Sequence, residues 1–138
     1  MDTESRIYRD LQKHLDRAPV GFPPTESGAD IRFLKHFFTP EEARIAIQLS
    51  TIKMEPIKRI YPRVKKSGMS ISIEELQQIL DRMVYKGTIL AYKEGYSEAH
   101  YKNAGVSAGG MYDFQVNRLT KELISDFREY HRESFAGA

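Results

Sequence analysis

The chain contains no cysteine. It therefore supplies no disulfide, no thiolate zinc site and no iron–sulfur ligand of its own. Long apolar runs are also missing, and none approaches the roughly 20 residues of a membrane-spanning helix. The amino terminus, Met1-Asp2-Thr3-Glu4-Ser5-Arg6, lacks the basic start and apolar stretch of a signal peptide. The expectation is a soluble cytoplasmic protein with no membrane partner. With 138 residues it fits one domain that can bury a core without covalent staples. A net charge of +2 is too small to imply a polyanionic partner by itself.

Catalytic patterns are missing as well. The four histidines, His14, His36, His100 and His131, are scattered, with no His-x-x-x-His spacing and no acidic cluster of metal-ligand form. There is no Walker loop, no Gly-x-Gly-x-x-Gly after a strand and no serine nucleophile elbow. Gly109-Gly110 reads as a turn. Glu41-Glu42 and Glu74-Glu75 are accounted for by helix starts, where carboxylates complement the dipole. A catalytic site needs convergent groups, and the chain is expected to bind and not to catalyse, without metal or cofactor.

What is present centres on residues 70–103. Ser72 with Glu75 forms a capping box ahead of Leu76, Ile79, Leu80, Met83 and Val84, which share one helical face. Lys86 and Gly87 close that helix as the dipole and the left-handed cap require. Two alternating segments follow, Thr88 to Lys93 and Ala99 to Lys102, around a polar tip at Glu94-Gly95-Tyr96-Ser97, which predicts a hairpin. Before them, residues 55–66 place Ile57, Ile60, Tyr61 and Val64 at helical spacing with lysines and arginines opposite. Pro62 lies inside that helix and is expected to kink or split it, at about 3 kcal/mol in an ideal helix. Ser67-Gly68 supplies the exit. Helix, turn, helix and hairpin in this order predict a winged helix-turn-helix, mainly α with a small β-hairpin.

Further helices flank this core, taken as residues 29–103. An accessory amphipathic helix is expected over 4–16 from Ile7, Tyr8, Leu11 and Leu15. A connector with three prolines follows, anchored by Val20 and Phe22. Helix resumes near Ala29 with Ile31, Phe33, Leu34, Phe37 and Phe38. Thr39-Pro40-Glu41-Glu42 is a strong start signal for a central buried helix carrying Ala43, Ile45, Ala46, Ile47, Leu49 and Ile52. A last helix, over 119–133, is expected to bury Leu123, Ile124, Phe127 and Tyr130. Terminal helices of this kind pack on the core or form a homodimer. The three helical and hairpin regions together make a single domain spanning 1–138.

Several of these segments also resemble a known family. Pro19-Val20-Gly21-Phe22-Pro23, Thr25-x-Ser27-Gly28, Leu34-Lys35-x-x-Phe38-Thr39-Pro40-Glu41-Glu42-Ala43, Glu74-Glu75-Leu76, Lys86-Gly87 and Gly110-Met111-Tyr112-Asp113-Phe114-Gln115 resemble the amino-terminal region of longer 4Fe-4S ferredoxin-domain proteins of anaerobic bacteria and archaea. The resemblance implies a winged-helix module placed before cluster-binding cysteines. Those cysteines, Cys-x-x-Cys-x-x-Cys-x-x-x-Cys-Pro in the family, do not occur here. A 4Fe-4S cluster would then belong to a downstream domain, and no ligand is carried over to this chain.

Two binding functions follow. In the first, the domain is a DNA-binding, regulator-like winged helix. Basic residues are concentrated between 53 and 66, where Lys53, Lys58, Arg59, Arg63, Lys65 and Lys66 face the single acid Glu55. Lys58, Arg59, Arg63, Lys65 and Lys66 would neutralise phosphates, Gln77, Gln78 and Arg82 would meet base edges, and Lys93 and Lys102 would add hairpin contacts. The plain alternative for the basic run is a solvated helix face. Glu74 and Glu75 count against groove entry, since they put negative charge at the leading turn. In the second, the domain docks a protein partner or a ferredoxin domain through that acidic helix and the segment Met111, Tyr112 and Phe114. The plain alternative there is burial at the base of the hairpin.

Overall fold

Helices α1 (Thr3–Leu15), α3 (Pro40–Ile47) and α5 (Ile73–Lys86) each open on a side chain that takes the place of a missing backbone partner. Asp2 accepts from the Ser5 amide at 2.7 Å. Thr39 and Glu42 exchange bonds of 2.9 and 3.1 Å, and Ser72 and Glu75 bonds of 3.2 and 3.0 Å, so both expected capping boxes are formed. These features come from a computed structural model, which describes residues 2–18, 21–93, 98–104 and 121–134 and, in the last segment, the side chains at 122, 125, 126, 128–130, 132 and 133.

The molecule is mainly helical, with a small antiparallel sheet. Helix α2 (Ala29–Lys35) precedes α3, strand β1 (Glu55–Pro56) leads into α4 (Ile57–Lys66), and β2 (Ile89–Tyr92) and β3 (His100–Asn103) follow α5. Helix α6 (Lys121–Ser134) ends the described chain. The strand order is β1-β3-β2, with Ala91 opposite Tyr101 and Glu55 opposite Tyr101 on its other side. The hairpin tip expected at 94–97 lies outside the described residues, as do Val20 and the segment of Met111, Tyr112 and Phe114.

Three expectations are corrected. The helix expected from Glu55 begins at Ile57, because Glu55 and Pro56 pair with β3. Pro56 stands on an edge strand, where a missing N–H costs no ladder bond. Pro62 does not split α4, which runs through it as one helix. Ile52 is 65% exposed, since α3 stops at Ile47 and the chain turns with the Ser50 hydroxyl accepting from the amides of Ile52 and Lys53.

The core runs from Tyr8, Leu11 and Leu15 of α1 through Phe33 and Leu34 of α2 and Ala43, Ile45 and Ala46 of α3 to Ile60, Val64, Leu76, Leu80 and Met83. Phe22, Phe33, Phe37 and Tyr130 form an aromatic cluster with centroid separations of 4.6 to 6.1 Å. Tyr130 brings α6 into it and donates to the Pro23 carbonyl at 2.9 Å. Arg32 bonds Asp126 and Glu129, and His36 bonds Asp126 at 2.8 Å, so α6 packs on α2 of its own chain. Leu123, Ile124 and Phe127, expected to be buried, have side chains outside the described set.

Buried polar groups fasten the elements together. Asn103 ends β3 and donates to the carbonyls of Ala46 and Leu49 at 3.1 and 3.0 Å, adding to the bonds these carbonyls accept from the Leu49 amide and His14 Nε2. Glu42 is fully buried and accepts from Arg82 at 2.9 Å and Lys86 at 2.6 Å, tying α3 to α5. Burial raises its pKa, but Lys86, the Thr39 amide and Arg82 outweigh that, and the net shift is downward.

Candidate nucleic-acid interface

Helix α4 owes its position to Ile60 and Val64, which are buried, while Tyr61 donates to the Ile71 carbonyl at 2.9 Å. That arrangement turns Lys58, Arg59, Lys65 and Lys66 to solvent. Lys58 reaches Glu98 at 3.3 Å, an exposed pair that contributes little. Arg59, Lys65 and Lys66 make no ion pair among the described residues. A groove of about 480 Å³ opens at the start of α4, walled by Lys53, Lys58, Arg59, Glu55, Glu98 and His100. Of its two carboxylates, Glu98 meets Lys58 and Glu55 meets Arg63, so Lys53 and Arg59 are left to set the local field.

Arg63 points elsewhere. Its guanidinium donates to the Gln48 carbonyl at 3.0 and 2.8 Å and to Glu55 at 2.6 and 3.2 Å, closing the seam between the end of α3 and β1. Planar bidentate pairing of this kind holds an arginine firmly in place.

On α5 the expected base-edge residues are mostly occupied. Gln77 donates to the Tyr101 hydroxyl at 2.6 Å and to Asp81 at 3.0 Å. Burial is the main cause of the raised Tyr101 pKa, and the Asp81 charge adds to it against the Gln77 hydrogen bond. Arg82 lies on Glu42, with Glu41 at 3.8 Å. Gln78 alone of the three is exposed and makes no side-chain hydrogen bond among the described residues, and beside it stand exposed Glu74, Glu75 and Asp81. Lys93, after β2, is exposed and Lys102, within β3, is half-buried.

The structure thus gathers Lys58, Arg59, Lys65 and Lys66 on one helix and leaves Gln78, Lys93 and Lys102 apart from one another in the chain. It places Arg63, Gln77 and Arg82 in internal bonds. Sequence reasoning passed over Lys53 as a site residue, although it lies in the same basic run. It also missed Lys13 of α1, Arg17 just beyond that helix and Arg44 of α3, which are scattered among acidic neighbours and give no local charge signal. No group of three or more histidine and acidic side chains suited to a metal ion occurs among the described residues, and no described helix is long and apolar enough to cross a membrane.

No known protein family, curated protein or solved structure matches this chain.

Proposed function

We propose that this chain is a winged-helix domain that holds duplex DNA through its phosphates, with α4 as the principal contact. The element order α3-β1-α4-α5-β2-β3 and the strand order β1-β3-β2 support the winged-helix reading. The observation that carries the function is the solvent-facing set Lys58, Arg59, Lys65 and Lys66 on a helix whose apolar side is fixed in the core. Phosphate contacts position a protein on DNA without reading sequence. With Gln77 and Arg82 held internally, the domain has few side chains left for base edges, so binding is expected to be weakly sequence-selective. Titration of the purified protein with mixed-sequence duplex at low and then higher salt tests this. Salt-sensitive binding is expected in the range of roughly 1–100 µM; none at tens of micromolar protein would end the reading.

A second reading has an observation of its own. The exposed face of α5 carries Glu74, Glu75 and Asp81, and Tyr85 is 74% exposed at its far end. That surface suits a basic protein partner better than a phosphate backbone. It agrees with the resemblance to modules that precede ferredoxin domains, in which this chain docks an electron carrier without catalysing. The sequence encoded after Ala138 tests this: cysteines spaced for a 4Fe-4S cluster would favour the docking role, and an immediate stop codon would remove its support.

A further inference from the structure

The cationic surface does not end where α4 does. A groove of about 500 Å³ opens at Ser67, between the end of α1 and α3. Lys13, Arg17 and Arg44 stand on its walls, and Asp10 is the one acid beside them. None of the three cations makes an ion pair among the described residues. Arg44 projects to the exit of α4: its Nη2 lies 3.9 Å from where a Cβ on Gly68 would be. The local field is felt by His14 on the same wall. Its pKa is lowered first by burial and then by Arg17 and Arg63, against the bond from its Nε2 to the Leu49 carbonyl.

This groove and the one at the start of α4 adjoin. Gln48 walls the first and Glu55 the second. Arg63 bonds both, so its half-buried guanidinium stands between them. With one groove at each end of the helix, the ten residues of α4 span about 15 Å at 1.5 Å per residue. On a duplex that is roughly four base steps at 3.4 Å each. Lys65 and Lys66 lie at the α4 end that meets the first groove, and Lys58 and Arg59 at the end that meets the second.

We propose that the α1–α3 groove is a second phosphate-binding surface for the same duplex, in which Lys13, Arg17 and Arg44 take backbone phosphates beyond those met by α4. The accessory helix α1 is then part of the interface and does more than cover the core. This rests on the DNA reading, and its test separates the two.

The slope of log K against log salt for mixed-sequence duplex is measured for the wild-type chain and for the triple variant Lys13→Gln, Arg17→Gln, Arg44→Gln. Each phosphate contact contributes about 0.9 to that slope, so the triple variant should show a slope shallower by about 2.7. A wild-type slope and affinity in the triple variant would overturn the second surface and leave α4 as the whole interface. No salt-sensitive binding by the wild-type chain would overturn the DNA reading and this inference together. Arg44 is half-buried, so thermal melts accompany the titrations. If the triple variant is unstable, the double variant of exposed Lys13 and Arg17 serves instead, with an expected decrease in slope of about 1.8 and an unchanged slope as the contrary result.

Discussion

Glu42 shows how much of this molecule is settled by single residues. Its side chain is fully buried, closes the α3 capping box and accepts from Arg82 and Lys86. Glu42→Gln removes the charge on which both cations lie, and should cost about 3 kcal/mol, read from chemical denaturation. Its lowered pKa also sets a pH dependence. Below the ordinary carboxylate value of 4.5 the unfolded chain takes up a proton that the folded chain refuses, so its contribution is lost as pH falls through the folded value. His14, likewise lowered, adds an earlier loss that begins as pH drops below 6.5. Melting temperatures from neutral pH downward should decline in two stages, and the later stage should be smaller in Glu42→Gln, where the Asp2 carboxylate, held low by the Ser5 amide, still contributes. The capping half of this residue's role was legible from Thr39-x-x-Glu42. Its pairing with Arg82, 40 residues away, was not, and that is why Arg82 was assigned to base edges. The internal partners of Arg63 and Gln77 were hidden for the same reason: a polar side chain on a helix reads alike in sequence whether its partner is solvent, a phosphate or a distant carbonyl.

Elements were legible wherever local chemistry decides them. Two capping boxes, the Gly87 stop with φ of 81° and the periodicity of α1 and α5 are all short-range signals. Gly87→Ala puts a Cβ into the left-handed region and should destabilise by about 1 kcal/mol, measured as a shift in denaturation midpoint. Strand β1 was missed because two residues carry no periodicity and their partner, β3, lies more than forty positions later. Its position matters to function, since β1 walls the groove at the start of α4 and aims Glu55 at Arg63. Asn103 is the other long-range fastening. Asn103→Ala should cost about 1–2 kcal/mol, the net worth of two buried hydrogen bonds, because the Ala46 and Leu49 carbonyls keep the Leu49 amide and His14 Nε2 as partners. Amide exchange in the last turn of α3 should rise with it.

For the whole molecule, charge is sorted by surface. A cationic flank runs from the α1–α3 groove along α4 to the groove at β1, while the outer face of α5 is acidic. The segregation between residues 53–66 and the rest was visible in sequence. The joining of Lys13, Arg17 and Arg44 to that flank required the packing of α1 on α3, which brings positions some thirty residues apart to one groove. A net charge of +2 therefore understates what an approaching polyanion meets. On this flank α4 is proposed to hold DNA by its phosphates. Titrating labelled mixed-sequence duplex over a range of salt, with the wild-type chain, the quadruple variant Lys58→Gln, Arg59→Gln, Lys65→Gln, Lys66→Gln and the single variant Gln78→Ala, tests it most directly. The quadruple variant should show a slope shallower by about 3.6, and Gln78→Ala little change. Equal slopes and affinities for wild type and the quadruple variant would contradict it.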